Sequence, residues 1–177
     1  MRPPLPIILL SAVALLAVGC GEQAASTTST ALEPTSTATG EQTSPRGPRA
    51  ATTDDVDSKP VITVPEQSAR QLIATDVVEG EGPEAKAGDT VSADYVGVSQ
   101  SSGVEFDSSW ERGEPIVFEL GAGMVIPGWD QGIEGMRVGG RRLLTIPAEL
   151  AYGPAGSPPD IAPNDTLVFA VDLREIQ

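Results

Sequence analysis

The residues of this sequence that could build a site are mostly apolar. Tyr95, Phe106, Trp129, Tyr152 and Phe169 are aromatic, Ile116, Val125, Ile126 and Ile161 are branched aliphatics, and only Asp107, Arg112 and the two tyrosine hydroxyls are polar. Trp129 anchors the set. It follows Val125-Ile126-Pro127-Gly128 and opens a short predicted helix over residues 129–136. In that helix Trp129, Ile133 and Met136 fall at i, i+4 and i+7, on one face. Taken alone, such a tryptophan is a core residue. In company with the other rings it reads as the floor of a ligand pocket, because a large flat side chain at a helix start can lie across a cavity instead of filling it. An apolar bowl with a few orienting polar groups binds and aligns an apolar ligand.

Much other chemistry is excluded. The 177-residue chain has no His, and its single Cys is Cys20. That leaves no Ser-His-Asp or Cys-His site, no thiol redox pair, no intrachain disulfide and no His- or Cys-ligated zinc. Neither metal nor cofactor is expected. The net charge is −14. Residues 61–177 hold 19 acidic and 7 basic side chains, a net −12. A surface of that sign disfavours nucleic-acid phosphates and anionic lipid as partners and keeps the domain soluble. Gly121-Ala122-Gly123 hints at a phosphate loop but lacks a third glycine and a βαβ frame. Asn164-Asp165-Thr166 matches a glycosylation acceptor by chance.

The elements that must position these residues lie in the C-terminal two thirds. Residues 90–99 alternate, with Val91, Ala93 and Tyr95 on one face and Ser92 and Asp94 on the other. Further strands are expected at 61–65, 71–78, 104–107, 116–120 and 141–146, with a bulge at 108–113 that carries Arg112. Residues 166–176 close the domain with Leu167, Phe169, Val171 and Leu173 inward and Asp172 and Arg174 outward. The loop 147–162 carries Tyr152 and Ile161 and is long enough to be functional. The sum is an α+β fold, an antiparallel sheet of five or six strands wrapped against one short helix.

The rest of the chain has different physics. Residues 1–20 combine Arg2, an apolar run from 5 to 18 that is short for a membrane span, and the end Leu16-Ala17-Val18-Gly19-Cys20. This resembles the lipobox of bacterial lipoproteins, with Ala17 in place of the usual leucine. It implies lipidation of Cys20, export, and anchoring on the outer face of the cytoplasmic membrane, or secretion if Cys20 stays unmodified. Residues 21–60 are rich in Ser, Thr, Ala, Gly and Pro and read as a disordered linker that holds the domain at 61–177 away from the membrane.

Six motifs in series carry a family resemblance. They are Tyr95-Val96-Gly97, Phe106-Asp107-Ser108-Ser109, Val125-Ile126-Pro127-Gly128-Trp129, the glycine-bounded stretch 132–139, Ala151-Tyr152-Gly153 and Thr166-Leu167-Val168-Phe169. Together they resemble the FK506-binding protein family of peptidyl-prolyl cis/trans isomerases, over about residues 70–177. The resemblance implies rotation of X-Pro bonds in exported polypeptides by a monomer, and binding of macrolides of the FK506 or rapamycin type. It makes Trp129 the floor under the proline ring and Tyr95, Phe106 and Phe169 the walls. Val125 and Ile126 flank the entrance, with the Ile126 N–H as a ligand donor. Tyr152 holds a ligand carbonyl, Asp107 is the acidic acceptor paired with Arg112, and Ile161 sits on the flap above. Three places differ from familiar members: Ile116 replaces an aromatic, Leu150 replaces another, and Ser157-Pro158-Pro159-Asp160 forms a different flap. The alternative is a membrane-anchored module that binds proline segments or a macrolide, as an adaptor or holdase, without turnover.

Overall fold

The computed structural model describes residues 52–177. The expected export signal, Cys20 and the part of the expected linker up to residue 51 lie outside the described residues. Six strands form one sheet: β1 Ile73–Val78, β2 Thr90–Ser99, β3 Glu105–Ser108, β4 Ile116–Glu119, β5 Arg141–Ile146 and β6 Leu167–Ile176. The order is β1-β5-β6-β2-β3, β4 also pairs with β2, and every pairing is antiparallel. This is the expected antiparallel sheet with few helices. The strand expected at 61–65 reduces to a single bridging residue, Thr63. Pro60 and Pro65 enclose it, and proline cannot donate to a ladder.

Ten-residue β2 is the organising strand. Residues 96–98 pair with β3 and residues 90–93 with β4, so two short strands share one edge of it. Between them the chain leaves the sheet as a single helical turn, α1 Ser109–Arg112. The Tyr95 N–H, left without a strand partner on that side, donates to Ser109 Oγ at 2.8 Å. Ser109 Oγ donates in turn to Asp94 Oδ1, also at 2.8 Å. A side chain thus replaces the missing ladder bond and pins the start of the excursion.

The helix α2, Pro127–Ile133, begins two residues before the expected start and ends three before the expected end. Proline is preorganised for the first helical position, and Gly135 in the left-handed region ends the run. Met136 still joins Trp129 and Ile133 in the buried cluster. The helix lies very close to β5. A Cβ on Gly128 would come within 2.3 Å of Ile146 Cγ2, and one on Gly132 within 2.7 Å of Leu144 Cδ2. Two glycines one turn apart therefore set the depth of α2 and the height of Trp129 above the sheet.

The core on this face gathers Val91, Ala93, Tyr95, Leu144, Leu167, Phe169, Val171 and Leu173 with the helix residues. The opposite face is also covered. Leu143, Val168 and Ala170 pack against Ile62, Val64 and Val77. Asp172, expected to face solvent, is 1% exposed and lies across from Arg141, itself 0% exposed. The two share a bidentate ion pair at 2.5 and 2.6 Å. The reason is that residues 53–59, placed by composition in the linker, lie against this face. Arg141 also donates to the Thr53 and Ser58 carbonyls, at 3.0 and 2.9 Å, and Arg174 donates to the Val56 carbonyl at 2.9 Å.

Candidate functional site

Strand ends and loops meet at one end of the sheet around a cavity of about 400 Å³. It is lined by Tyr95, Phe106, Asp107, Ile116, Val125, Ile126, Trp129, Tyr152 and Phe169, which the sequence points to, and by Met124, which it does not. Five of the chain's seven aromatic residues line this one cavity, a concentration that core packing alone does not require.

The rings brace one another edge to face. Trp129 meets Tyr95 at 4.9 Å and 86°, and Phe169 at 5.3 Å and 86°. Phe106 meets Phe169 at 5.6 Å and 89°. Each contact of this kind contributes about 0.5–1.5 kcal/mol beyond burial. Phe118, 5.8 Å from Trp129, supports the floor from the core side. The wall depends on Gly97, which lies opposite Phe169 in the β2–β6 pairing. A Cβ there would stand 2.7 Å from the Phe169 ring and 2.8 Å from that of Phe106. Only glycine lets both rings close over the strand.

The polar groups form a tethered set. Tyr95 Oη donates to Asp107 Oδ2 at 2.5 Å, and Arg112 donates to Asp107 Oδ1 at 2.5 Å and to Tyr95 Oη at 2.8 Å. The guanidinium also lies over the Tyr95 ring, 5.2 Å from its centre. Burial, and then the bond to Asp107, push the Tyr95 phenol up to about 12, so it is a neutral donor throughout the physiological range. The bond to Tyr95 raises the Arg112 guanidinium further above its ordinary value. Asp107 is thus an oriented acceptor whose two oxygens are already engaged, not a free base.

Two expected residues stand apart from the cavity lining. Arg112 acts from behind the wall, in a separate cleft of about 310 Å³ that shares Phe106 and Asp107 with the pocket. Ile161 is 4% exposed and packs into the core cluster. The reciprocal backbone bonds between Ser157 and Ile161, at 2.9 and 3.0 Å, turn its side chain inward beneath the flap.

The mouth is formed by Tyr152, 43% exposed, and Met124, 66% exposed. Tyr152 precedes a 3-10 turn, Gly153–Ala155, within a loop held by the bond from Asn164 N to the Gly153 carbonyl at 3.0 Å. Met124 leads into Val125-Ile126, and the loop before it is fixed by Asp130 of α2. The Asp130 carboxylate accepts from the Gly121 and Gly123 N–H groups at 2.9 and 3.1 Å. Those amides are therefore occupied by the protein's own anion. The Ile126 carbonyl accepts from Trp129 N at 2.9 Å, while its N–H bonds to no acceptor among the described residues. The Trp129 indole N–H is likewise buried without an acceptor there. Among the described residues no helix is long and apolar enough to cross a membrane.

An antiparallel sheet wrapped on a short helix thus opens at one end into an aromatic bowl with a few hydrogen-bond donors at its rim. The family description "FKBP-type peptidyl-prolyl cis-trans isomerase" matches residues 82–174. The chain is 60% identical over 103 residues to the FK506-binding protein of Streptomyces anulatus, an alignment covering 58% of this chain and 83% of that one. It is 53% identical over 93 residues to the peptidyl-prolyl cis-trans isomerase FPR2 of Saccharomyces cerevisiae, covering 52% and 69%. The crystal structure of AtFKBP13 superposes with a TM-score of 0.57 at 41% identity, covering 63% of this chain and 98% of that one. The chain belongs to the FKBP-type peptidyl-prolyl cis-trans isomerase family, and is an enzyme of that class.

Proposed function

We propose that this isomerase works by non-covalent catalysis in the aromatic bowl, on X-Pro bonds of polypeptides outside the cytoplasm. The observation that carries the reading is the bowl itself: Trp129, Tyr95, Phe106 and Phe169 braced edge to face around a ring-sized space, with a spare N–H at Ile126 on its lip. Rotation about an amide loses resonance, at a cost of about 18–20 kcal/mol. A 10⁴-fold acceleration needs about 5.5 kcal/mol of selective stabilisation. No nucleophile is required. The twisted amide carries less charge separation than the planar one, so apolar walls penalise the ground state more. Trp129 holds the proline ring, the Ile126 N–H and Tyr152 hydroxyl hold peptide carbonyls, and Asp107, fixed by Tyr95 and Arg112, supplies a static field.

The same bowl suits macrolides of the FK506 type, as the names of its relatives suggest. Export rests on the apolar run and the lipobox-like end at Cys20, and lipidation there would tether the domain, as a monomer, at the membrane's outer face. The test is the cis-to-trans rate of a series of short X-Pro peptides with the full chain added. Strong acceleration that a macrolide abolishes supports the site. Acceleration that macrolides and Trp129 substitutions leave untouched places the activity elsewhere.

A further inference from the structure

The outer wall of the pocket is the least supported part of the site. It consists of β3 and α1, which together carry Phe106, Asp107 and Arg112. β3 is a four-residue edge strand whose pairing with β2 shifts register between Gly97 and Val98. α1 is a single turn of four residues, far too short to be stable by itself. Ladder bonds and Ser109 hold this wall from the β2 side.

On the solvent side, besides the wall's own Arg112–Asp107 pair, a residue from outside the wall spans it. Lys59 Nζ donates to Glu105 Oε1 of β3 at 2.8 Å and to Glu111 Oε1 of α1 at 3.0 Å. The bond to Glu105 raises the ammonium's pKa above its ordinary value, so Lys59 remains charged through the neutral range. Lys59 is not on a loose tether. The Thr53, Val56 and Ser58 carbonyls just before it are held by Arg141 and Arg174. Arg174 also lies over the Trp110 ring of α1, 5.6 Å from its centre, and pairs with Asp94 at 2.8 Å. A segment remote in sequence from the pocket thus bears on both halves of its weakest wall, and does so from an anchor on the buried Arg141–Asp172 pair.

We propose that residues 53–59 are a strap of the catalytic domain and that Lys59 is a positioning residue for isomerisation, clamping Glu105 to Glu111 so that Phe106, Asp107 and Arg112 stand ready for the substrate. The proposal rests on the reading of the aromatic bowl as the isomerase site. Lys59 touches no substrate. It acts through the position of Phe106, so its removal weakens binding without altering the chemistry of bound substrate.

The experiment compares the full chain with its Lys59→Met variant, which keeps the apolar stem, and with Lys59→Arg, which keeps the charge. Exposed ion pairs are individually weak, so the expected effect is modest: KM rises about threefold in Lys59→Met with kcat unchanged. Lys59→Arg restores the parent KM. Amide hydrogen exchange across 105–112 quickens in Lys59→Met and returns in Lys59→Arg. Unchanged KM and exchange in Lys59→Met overturn the proposal, as does a lowered Tm with KM unmoved, which would make Lys59 merely structural. If the parent chain itself fails to turn over X-Pro peptides, the assignment of the bowl falls. Exchange across 105–112 then still decides whether the strap holds the wall.

Discussion

Along β6 the odd-numbered side chains Leu167, Phe169, Val171 and Leu173 pack toward α2, and the even-numbered Val168, Ala170 and Asp172 pack under the strap and its approach. Both faces are buried, but by different means. The α2 face is closed by shape. Glycines at 97, 128 and 132 let rings and helix approach, and the space left over is the bowl. The outer face is closed by charge and backbone carbonyls, with Arg141 as the hub. The difference separates two roles. The apolar face tolerates a cavity because its rings brace one another, whereas the outer face has no slack, because a buried cation there must keep every partner.

The sharpest way to break the comparison is at that hub. Burial pushes the Asp172 carboxyl above its ordinary value in spite of Arg141 and Arg174 beside it, so the pair gains little over an apolar pair of the same shape. Removing one partner is another matter. Asp172→Asn leaves the Arg141 cation buried and uncompensated and is expected to cost about 3–5 kcal/mol in urea-monitored unfolding. At a temperature where the variant stays folded, its kcat should match the parent's, and its KM should rise by no more than the roughly threefold expected from a loosened strap. A variant with parental stability would mean that water reaches Arg141 and that the outer face is not sealed.

On the α2 face activity falls together with stability. Trp129→Leu keeps the floor apolar but removes the edge contacts to Tyr95 and Phe169. We expect kcat/KM to fall by roughly 30-fold, about 2 kcal/mol of transition-state binding, beside a stability loss of about 2–4 kcal/mol from the two lost ring contacts and the smaller side chain. A parental kcat/KM, measured where the variant stays folded, would erase the distinction between the two faces.

The α2 face was the more legible in the sequence, for a physical reason. Period-two alternation marks Tyr95, Phe169 and their neighbours as inward, and the order of motifs marks the bowl, because apolar side chains have one favourable destination. Asp172 defeats the same rule. A charged residue at an outward position reads as solvated unless its partner is known, and its partner is Arg141, 31 residues away, which is itself held by the Thr53 and Ser58 carbonyls 88 and 83 residues before it. The strap was hidden for a similar reason: residues 53–59 contribute carbonyls and one lysine, which composition cannot tell from linker. Ile161 reads as a flap residue until the backbone bonds of the Ser157 turn fix its direction. Met124 carried no signal, lying between a glycine and the Val125-Ile126 pair that draws attention first.

Proton linkage offers a finer contrast. With no His in the chain, activity is expected to be flat between about pH 6 and 8. Tyr95 is the pocket group whose titration matters, at high pH. Its folded value, about 12, lies above the ordinary 10.0. The neutral phenol is therefore favoured by folding. Its contribution is complete below pH 10.0, declines as pH rises toward 12 and is gone beyond it. Thermal unfolding followed across that window should show the decline in the parent and lose its Tyr95 component in Tyr95→Phe, whereas Asp172→Asn leaves the component intact.

The smallest effect lies at the lip, and it separates the bowl from what surrounds it. Met124 lines the cavity yet is mostly solvent-exposed, an arrangement that leaves a long, flexible thioether free to fold over whatever flanks the ring below. On the proposed reading, the floor receives the ring and the lip meets its neighbours. Met124→Ala is expected to leave Tm and kcat unchanged and to raise KM about threefold for peptides with leucine or phenylalanine beside the proline, with little change when that neighbour is alanine. One lost apolar contact of this size contributes about 0.6 kcal/mol, which such a ratio of KM values measures directly. A uniform rise across the series would make Met124 part of the bowl rather than its selective edge.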